Sequence, residues 1–275
     1  RGKVLYEEIE MVEGERRRVK IKLTCCGVSL EVNQDHYEKL NELYARTHDR
    51  DPNDRELNAA VFRLLARYSS FQGANYKAGG FQAAIHGECF DVLYDDFGCR
   101  LECFASPMNA RYSRFCSAHP DSDAAFGSLG TFFAFHPRTG SFEANPPFDD
   151  ALISRMCAHM DTLLATTALP LCFVVIIPTL PEQGGWCSVD GSVHKVHHLL
   201  LPQAEHGYFE GAQHDRINRY RVSQADTSVF FLQNKAGAKQ WPVTEEKLER
   251  LRAAFRPKTD LNPHGLKAAE RLAGG

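Results

Sequence analysis

The chain has 275 residues, enough for one large domain or two small ones, and 43% are hydrophobic, so a substantial core is within reach. Its net charge of −3 excludes the global basic field of a nonspecific nucleic-acid binder, so an anionic partner must be met by a local patch. Nine scattered cysteines without a CxxC pair point to reduced intracellular thiols, and the longest apolar run, Leu169–Pro178, is too short to span a bilayer.

Taken in chain order, Glu15–Val32 alternates as a β-hairpin around Cys26-Gly27, decorated by Arg16-Arg17-Arg18. A helix over Asp35–Arg46 follows, with Asp35 as its cap. After the polar break Asp49–Asp54, with Pro52 in the first turn, a second helix over Arg55–Tyr68 buries Leu57, Val61, Leu64 and Leu65 at helical spacing. A glycine-rich loop, Gly73–Ala84, leads to a short helix at Gly87–Phe97. From there strands and helices alternate. Arg100–Phe104 is predicted as a strand, Ala110–Ala118 as a helix, Thr131–Phe135 as a short strand and Ser141–Ala144 as an extended lead into Asn145. Asp149–Thr167 is a strong helix, and Leu171–Ile177 reads as a parallel strand buried on both faces. Two more strands, His197–Leu201 and Thr227–Leu232, precede a helix at Glu245–Phe255. This order predicts an α/β fold with a doubly wound sheet over 98–275, preceded by a smaller, mainly helical region over 1–97. No signal peptide is evident, and the start at Arg1 and the end at Ala-Gly-Gly suggest a fragment of something longer.

Two loops at the carboxyl ends of the predicted strands stand out, because ligands of open α/β sheets bind there. The first is Ala105-Ser106-Pro107-Met108-Asn109. Its small residues let a nucleotide-like cofactor approach the backbone, although neither GxGxxG nor a phosphate-loop motif is present. The second is Asn145-Pro146-Pro147-Phe148. Two prolines make its backbone nearly rigid, and each residue before a proline is held extended. The Asn145 side-chain oxygen and the Pro146 carbonyl are two acceptors in fixed relation to an aromatic face. Such a pair would draw the hydrogens of an exocyclic amine and aim its lone pair at a methyl group, while Phe148 stacks on the base. The plainer reading is a strand-to-helix loop.

Asn-Pro-Pro-Phe resembles the signature of amino-methyltransferases acting on adenine N6, cytosine N4 or glutamine. The stretches Glu102–Asn109 (ECFASPMN), Phe115–Gly130 (FCSAHPDSDAAFGSLG), Gly140–Phe148, Leu201–His214 (LPQAEHGYFEGAQH) and Val229–Asn234, in this order, resemble the phosphorylated-CTD-interacting-factor family of cap-specific adenosine N6-methyltransferases. Arg63–Tyr68 and Tyr76–Ala84 fit the same family. The resemblance implies a Rossmann-like class I methyltransferase sheet, S-adenosylmethionine as donor and the first transcribed adenosine of capped mRNA as substrate. It further implies a nuclear location, with the cytoplasm as the alternative, a monomer off the membrane, and contact with RNA polymerase II through regions outside this chain. On it, Asn145, Pro146, Pro147 and Phe148 are catalytic. Ala105, Ser106, Pro107, Asn109, Gln82 with Gly80, Phe126, Gly127 and Asn145 meet the cofactor. Phe148, Glu205, His206, Tyr208, Gln213 and His214 line the substrate cleft. Tyr208, Trp186, Tyr76 and Glu205 are candidates to cage a cationic cap base.

The chain departs from the family in a reduced helical region, the lack of a WW module and a glycine-rich Gln183–Ser192. The HxxH spacing among His194, His197 and His198 reads as polar residues at a strand entrance, since no second ligand pair is near in sequence and no metal is expected. Arg216, Arg219 and Arg221 either meet phosphates or form a solvated face. The rival readings are the same chemistry on internal RNA or DNA adenine, and an inactive module that binds capped RNA.

Overall fold

The computed structural model of the chain describes residues 3–13, 16–72, 83–209, 214 and 220–256. Three antiparallel strands open it: β1 (Leu5–Glu13), β2 (Arg16–Cys25) and β3 (Val28–Asn33), in the order β1-β2-β3. β2 and β3 are the predicted hairpin, turning through Cys26 and Gly27, both at positive φ. β1 lies outside the predicted hairpin, and its side chains over Leu5–Met11 stay largely exposed with no buried face. Helices α1 (Gln34–His48) and α2 (Asp54–Gln72) pack on this sheet. Their shared core holds Ile21, Leu23, Leu40, Leu57, Val61 and Leu64, together with Met108 and Phe126 from beyond it. The cap positions differ from expectation. Asn33 stands at the start of α1 and Asp35 lies inside its first turn, while the Asn53 side chain, not Pro52, meets the first turn of α2 at Glu56 N–H, 3.0 Å.

After α3 (Gly87–Phe97) comes the main sheet, made of β4 (Cys99–Ala105), β5 (Phe115–Ser117), β6 (Gly140–Ala144), β7 (Leu171–Pro178), β8 (Lys195–Leu201) and β11 (Thr227–Gln233). A short pair, β9 (Gly207–Phe209) and β10 (Tyr220–Val222), lies between β8 and β11 in the chain. The main sheet runs β5-β4-β6-β7-β11-β8, parallel from β5 to β7, with β11 antiparallel to both of its neighbours. This is a Rossmann-like sheet. The expectation for β7 is therefore half met: it pairs in parallel with β6 but antiparallel with β11.

Alternation divides the core. Cys172, Val174 and Ile176 face α3 and α8 (Glu245–Phe255), while Phe173, Val175 and Ile177 face α5 (Asp150–Thr166). Two elements are corrected. Ala110–Ala118 is not a helix; it is a turn followed by the three-residue β5, whose Phe115 and Cys116 are fully buried. Thr131–Phe135 is not a strand but one 3₁₀ turn, Phe132–Ala134. The glycine-rich Gln183–Ser192 does form a helix, α6 (Gly184–Asp190). Its glycines are needed for close approach: a Cβ on Gly185 would stand 2.7 Å from the Asp150 carbonyl oxygen, while Gly185 N–H donates to Asp150 Oδ1 at 2.6 Å.

Candidate active site

β4, β5 and β6 are parallel and end on the same side, so the loops after them converge. They enclose a cavity of about 220 Å³. From the predicted sets it is lined by Ala105, Ser106, Asn109, Asn145 and Pro147, with Ala83 beside them. The walls also include Tyr68, Phe104, His119, Phe132 and Phe133, which residue-by-residue reading did not single out. The signal for the last two was present in the apolar Thr131–Phe135, but it reads equally well as a strand.

The tetrad is held at both ends. Asp149 caps α5, accepting from Leu152 N–H at 2.8 Å, and its own N–H donates to the Pro147 carbonyl at 2.7 Å. The Asn145 amide nitrogen donates to the Ala83 carbonyl at 3.0 Å, which fixes the amide orientation and turns Oδ1 the other way. That oxygen is buried and has no hydrogen-bond partner among the described residues. The prolines account for this. An asparagine oxygen ordinarily bonds the N–H two residues on, but position 147 has none to give. No described donor meets the Pro146 carbonyl either. Phe148 is half-buried, its ring edge-on to Tyr208 at 6.4 Å.

The loop after β4 is arranged in the opposite sense. Asn109 Oδ1 accepts from Ser106 N–H at 2.6 Å and from Ser106 Oγ at 2.9 Å, while Asn109 N–H donates to Ser106 Oγ at 3.3 Å. Glu102, one turn of the sheet earlier, accepts from Arg111 N–H at 2.7 Å and Tyr112 N–H at 2.9 Å. Burial raises its carboxyl to about 7 despite those two bonds. Glu143, paired with Glu102 across β4 and β6, is raised well above the carboxylate range by burial and by that like charge. On the opposite wall Tyr68 donates to buried Asp123 at 2.7 Å, and burial holds that carboxyl above its ordinary value.

Several predicted residues lie elsewhere. Phe126 is fully buried in the core of β1–β3, α1 and α2, 6.0 Å from the Tyr44 ring, so it does not cover this cavity. Gly127 backs onto the Ser113 carbonyl, where a Cβ would stand 2.4 Å away. His206 is fully buried between the Pro202 carbonyl and Thr227 Oγ1, both at 2.7 Å. Tyr208 is 8% exposed, and its hydroxyl meets the same Thr227 oxygen at 2.7 Å. Trp186 donates from its indole to Ser228 Oγ at 3.0 Å and packs edge-on against Phe230. His206 and Tyr208 are therefore interior groups, while Trp186 is half-buried. His214 is buried and its carbonyl accepts from Asn33 N–H at 2.7 Å, whereas Glu205 is exposed. Gly80, Gln82, Tyr76, Gln213, Arg216 and Arg219 lie outside the described residues.

A family profile described as "Phosphorylated CTD interacting factor 1 WW domain" matches residues 39–211. That span runs from within α1 past β9 and leaves out the three-stranded sheet of β1–β3. The chain is 37% identical over 235 residues to the "mRNA (2'-O-methyladenosine-N(6)-)-methyltransferase" of Homo sapiens, covering 84% of this chain and 33% of the relative. The same figures hold for the protein of that name from Mus musculus. The chain thus spans about a third of the length of the curated relatives it matches.

Proposed function

The chain belongs to the phosphorylated CTD interacting factor 1 family, and on that premise we propose that it is an S-adenosylmethionine-dependent RNA methyltransferase. Its substrate is the N6 amine of the first transcribed adenosine beside an mRNA cap, in the 2′-O-methylated form that the relatives' name specifies. The single observation that carries this reading is the Asn145 amide beside the cavity, its NH₂ pinned by Ala83 and its buried oxygen without a hydrogen-bond partner among the described residues.

The amine of adenine is a poor nucleophile because its lone pair is spread into the ring. Asn145 Oδ1 and the Pro146 carbonyl accept its two hydrogens, draw the nitrogen towards tetrahedral geometry and aim the lone pair inward. Phe148 stacks on the base and holds its plane, a contact worth ~1–3 kcal/mol. The nitrogen loses a proton after transfer, so no general base is required. The residues present fit the donor: aromatic walls at Tyr68, Phe104, Phe132 and Phe133 suit a flat ring, and small Ala105 and Ser106 leave room for a close approach. S-adenosylmethionine supplies an electrophilic methyl group on a cationic sulfur. The chain works as a monomer in the nucleus, with polymerase contact left to regions outside it.

The test is mass spectrometry of nucleosides from capped and uncapped adenosine-starting RNAs after incubation with protein and donor. N6-methylated product from the capped RNA is expected. Equal product from internal adenines would favour the internal-site alternative, and no donor binding by calorimetry would favour an inactive module.

A further inference from the structure

The donor loop is held from outside the main sheet by one buried ammonium. Lys39 belongs to α1 and is only 7% exposed, and its Nζ donates to the Met108 carbonyl at 3.1 Å, across 69 positions of sequence. Met108 lies between Ser106 and Asn109, the two residues that close the loop on each other. The Met108 side chain is itself buried in the core that α1 shares with α2. Three residues further on, the Arg111 amide, and after it that of Tyr112, donate to Glu102 of β4, whose charge is the main one favouring a charged Lys39. Arg111 in turn meets Asp91 at 3.0 Å. The segment from Ser106 to Tyr112 is therefore fastened at its middle by a lysine of the N-terminal layer and at its end by a glutamate of β4.

From this geometry we infer that Lys39 is a positioning residue of the methyl-donor site, setting the height of the Ser106–Asn109 loop through the Met108 carbonyl. The inference rests on the proposed function, because it assumes that this loop meets the donor. Stability alone gives no reason for the arrangement. Burial lowers the Lys39 ammonium to about 8 even with Glu102 beside it, so the charge is held at a net cost to folding.

That conflict supplies the test. Lys39→Met should leave the melting temperature unchanged or raise it, yet weaken S-adenosylmethionine binding ~5- to 50-fold by calorimetry, the scale of losing one charge-assisted hydrogen bond. In steady-state kinetics the donor KM should rise by a similar factor, while the RNA KM and kcat at saturating donor hold. Amide hydrogen exchange should quicken over 106–112. The control is Leu40→Ala, the next residue on α1 and fully buried, which should lower the melting temperature with donor affinity intact. If Lys39→Met does not fold, Lys39→Gln is read in the same way. A donor Kd within twofold of wild type and unchanged exchange over 106–112 overturn the role of Lys39. Absence of donor binding by the wild type overturns the functional reading instead, and the exchange measurement still decides whether Lys39 sets the loop.

Discussion

Two loops face each other across the cavity, and they treat their polar atoms in opposite ways. In Ser106–Asn109 the amide oxygen, a hydroxyl and two backbone N–H groups satisfy one another within four residues. In Asn145–Phe148 the corresponding amide oxygen is left without a partner among the described residues, and the next two residues lack the N–H that would have met it. Leaving a buried acceptor open costs about 1–3 kcal/mol, and on the proposed function the substrate amine supplies the missing donor. On the proposed function, the closed loop would present shape and the open loop chemistry. Substitutions on the two sides should therefore separate ligand affinity from turnover.

The largest effect is expected on the open side. Asn145→Ala should leave donor Kd within a few-fold and lower turnover by ~10²–10³, the scale of losing one preorganised contact in the transition state. A fall of less than about threefold would remove Asn145 from the chemistry and dissolve the contrast. On the closed side Asn109→Ala strips the acceptor from Ser106 N–H and hydroxyl. Donor affinity should fall ~5- to 100-fold, with kcat at saturating donor little changed. A turnover loss like that of Asn145→Ala would mean that both loops do chemistry.

The closed side also has a pH signature. Burial raises Glu102 from 4.5 to about 7, so between those values the folded protein holds more protons and stability falls as pH rises. Burial lowers Lys39 from 10.5 to about 8, so between those values the unfolded chain holds more protons and stability rises with pH. The pair places a minimum of stability between about pH 7 and 8. Glu102→Gln should flatten the acid-side fall and Lys39→Met the alkaline-side rise, each by ~1–3 kcal/mol in denaturant titrations. Unchanged slopes in both variants would show that the two charges do not oppose folding.

The same contrast explains what the sequence made legible. The tetrad is readable because its rigidity and its missing donors are covalent: two prolines remove donors wherever they stand. Glu245–Phe255 and Gly87–Phe97 were readable because their apolar spacing and boundaries are local. β5 was not, since its three buried residues are fixed by partners distant in sequence, β4 on one side and the 128–130 segment on the other. Phe126 and Phe132 illustrate the limit best. Phe126 stands before a glycine and reads like a cofactor cover, yet it fills the core under α1, while Phe132 in an apolar run lines the cavity. Only tertiary packing tells the two apart. The Lys39 contact with Met108 was equally hidden, being a lysine on one helix meeting a backbone carbonyl far along the chain.

The smallest effect is expected at the cap itself, where the contrast between satisfied and open groups extends to aromatic faces. Discrimination for an N7-methylated guanosine needs rings free to stack on a cation, which is worth ~0.5–2 kcal/mol. Trp186 spends its indole N–H on Ser228 and lies against Phe230, and Tyr208 is buried with its hydroxyl on Thr227. Of the described candidates, exposed Glu205 remains to meet the positive base, since the proposed function assigns Phe148 to the adenine. The methylated cap should therefore be preferred over the unmethylated one only ~2- to 4-fold, the lower end of the cation–π range. Because one exposed carboxylate sets this preference, it should shrink between low and moderate salt, alongside the fall in overall RNA affinity as phosphate contacts weaken. The measurement is kcat/KM on methylated-cap, unmethylated-cap and uncapped RNAs at two salt concentrations. A preference above ~30-fold would require a full aromatic cage that Trp186 and Tyr208 cannot form as they are placed. Equal rates on all three RNAs would sink cap specificity and leave the open tetrad acting on adenine without regard to what precedes it.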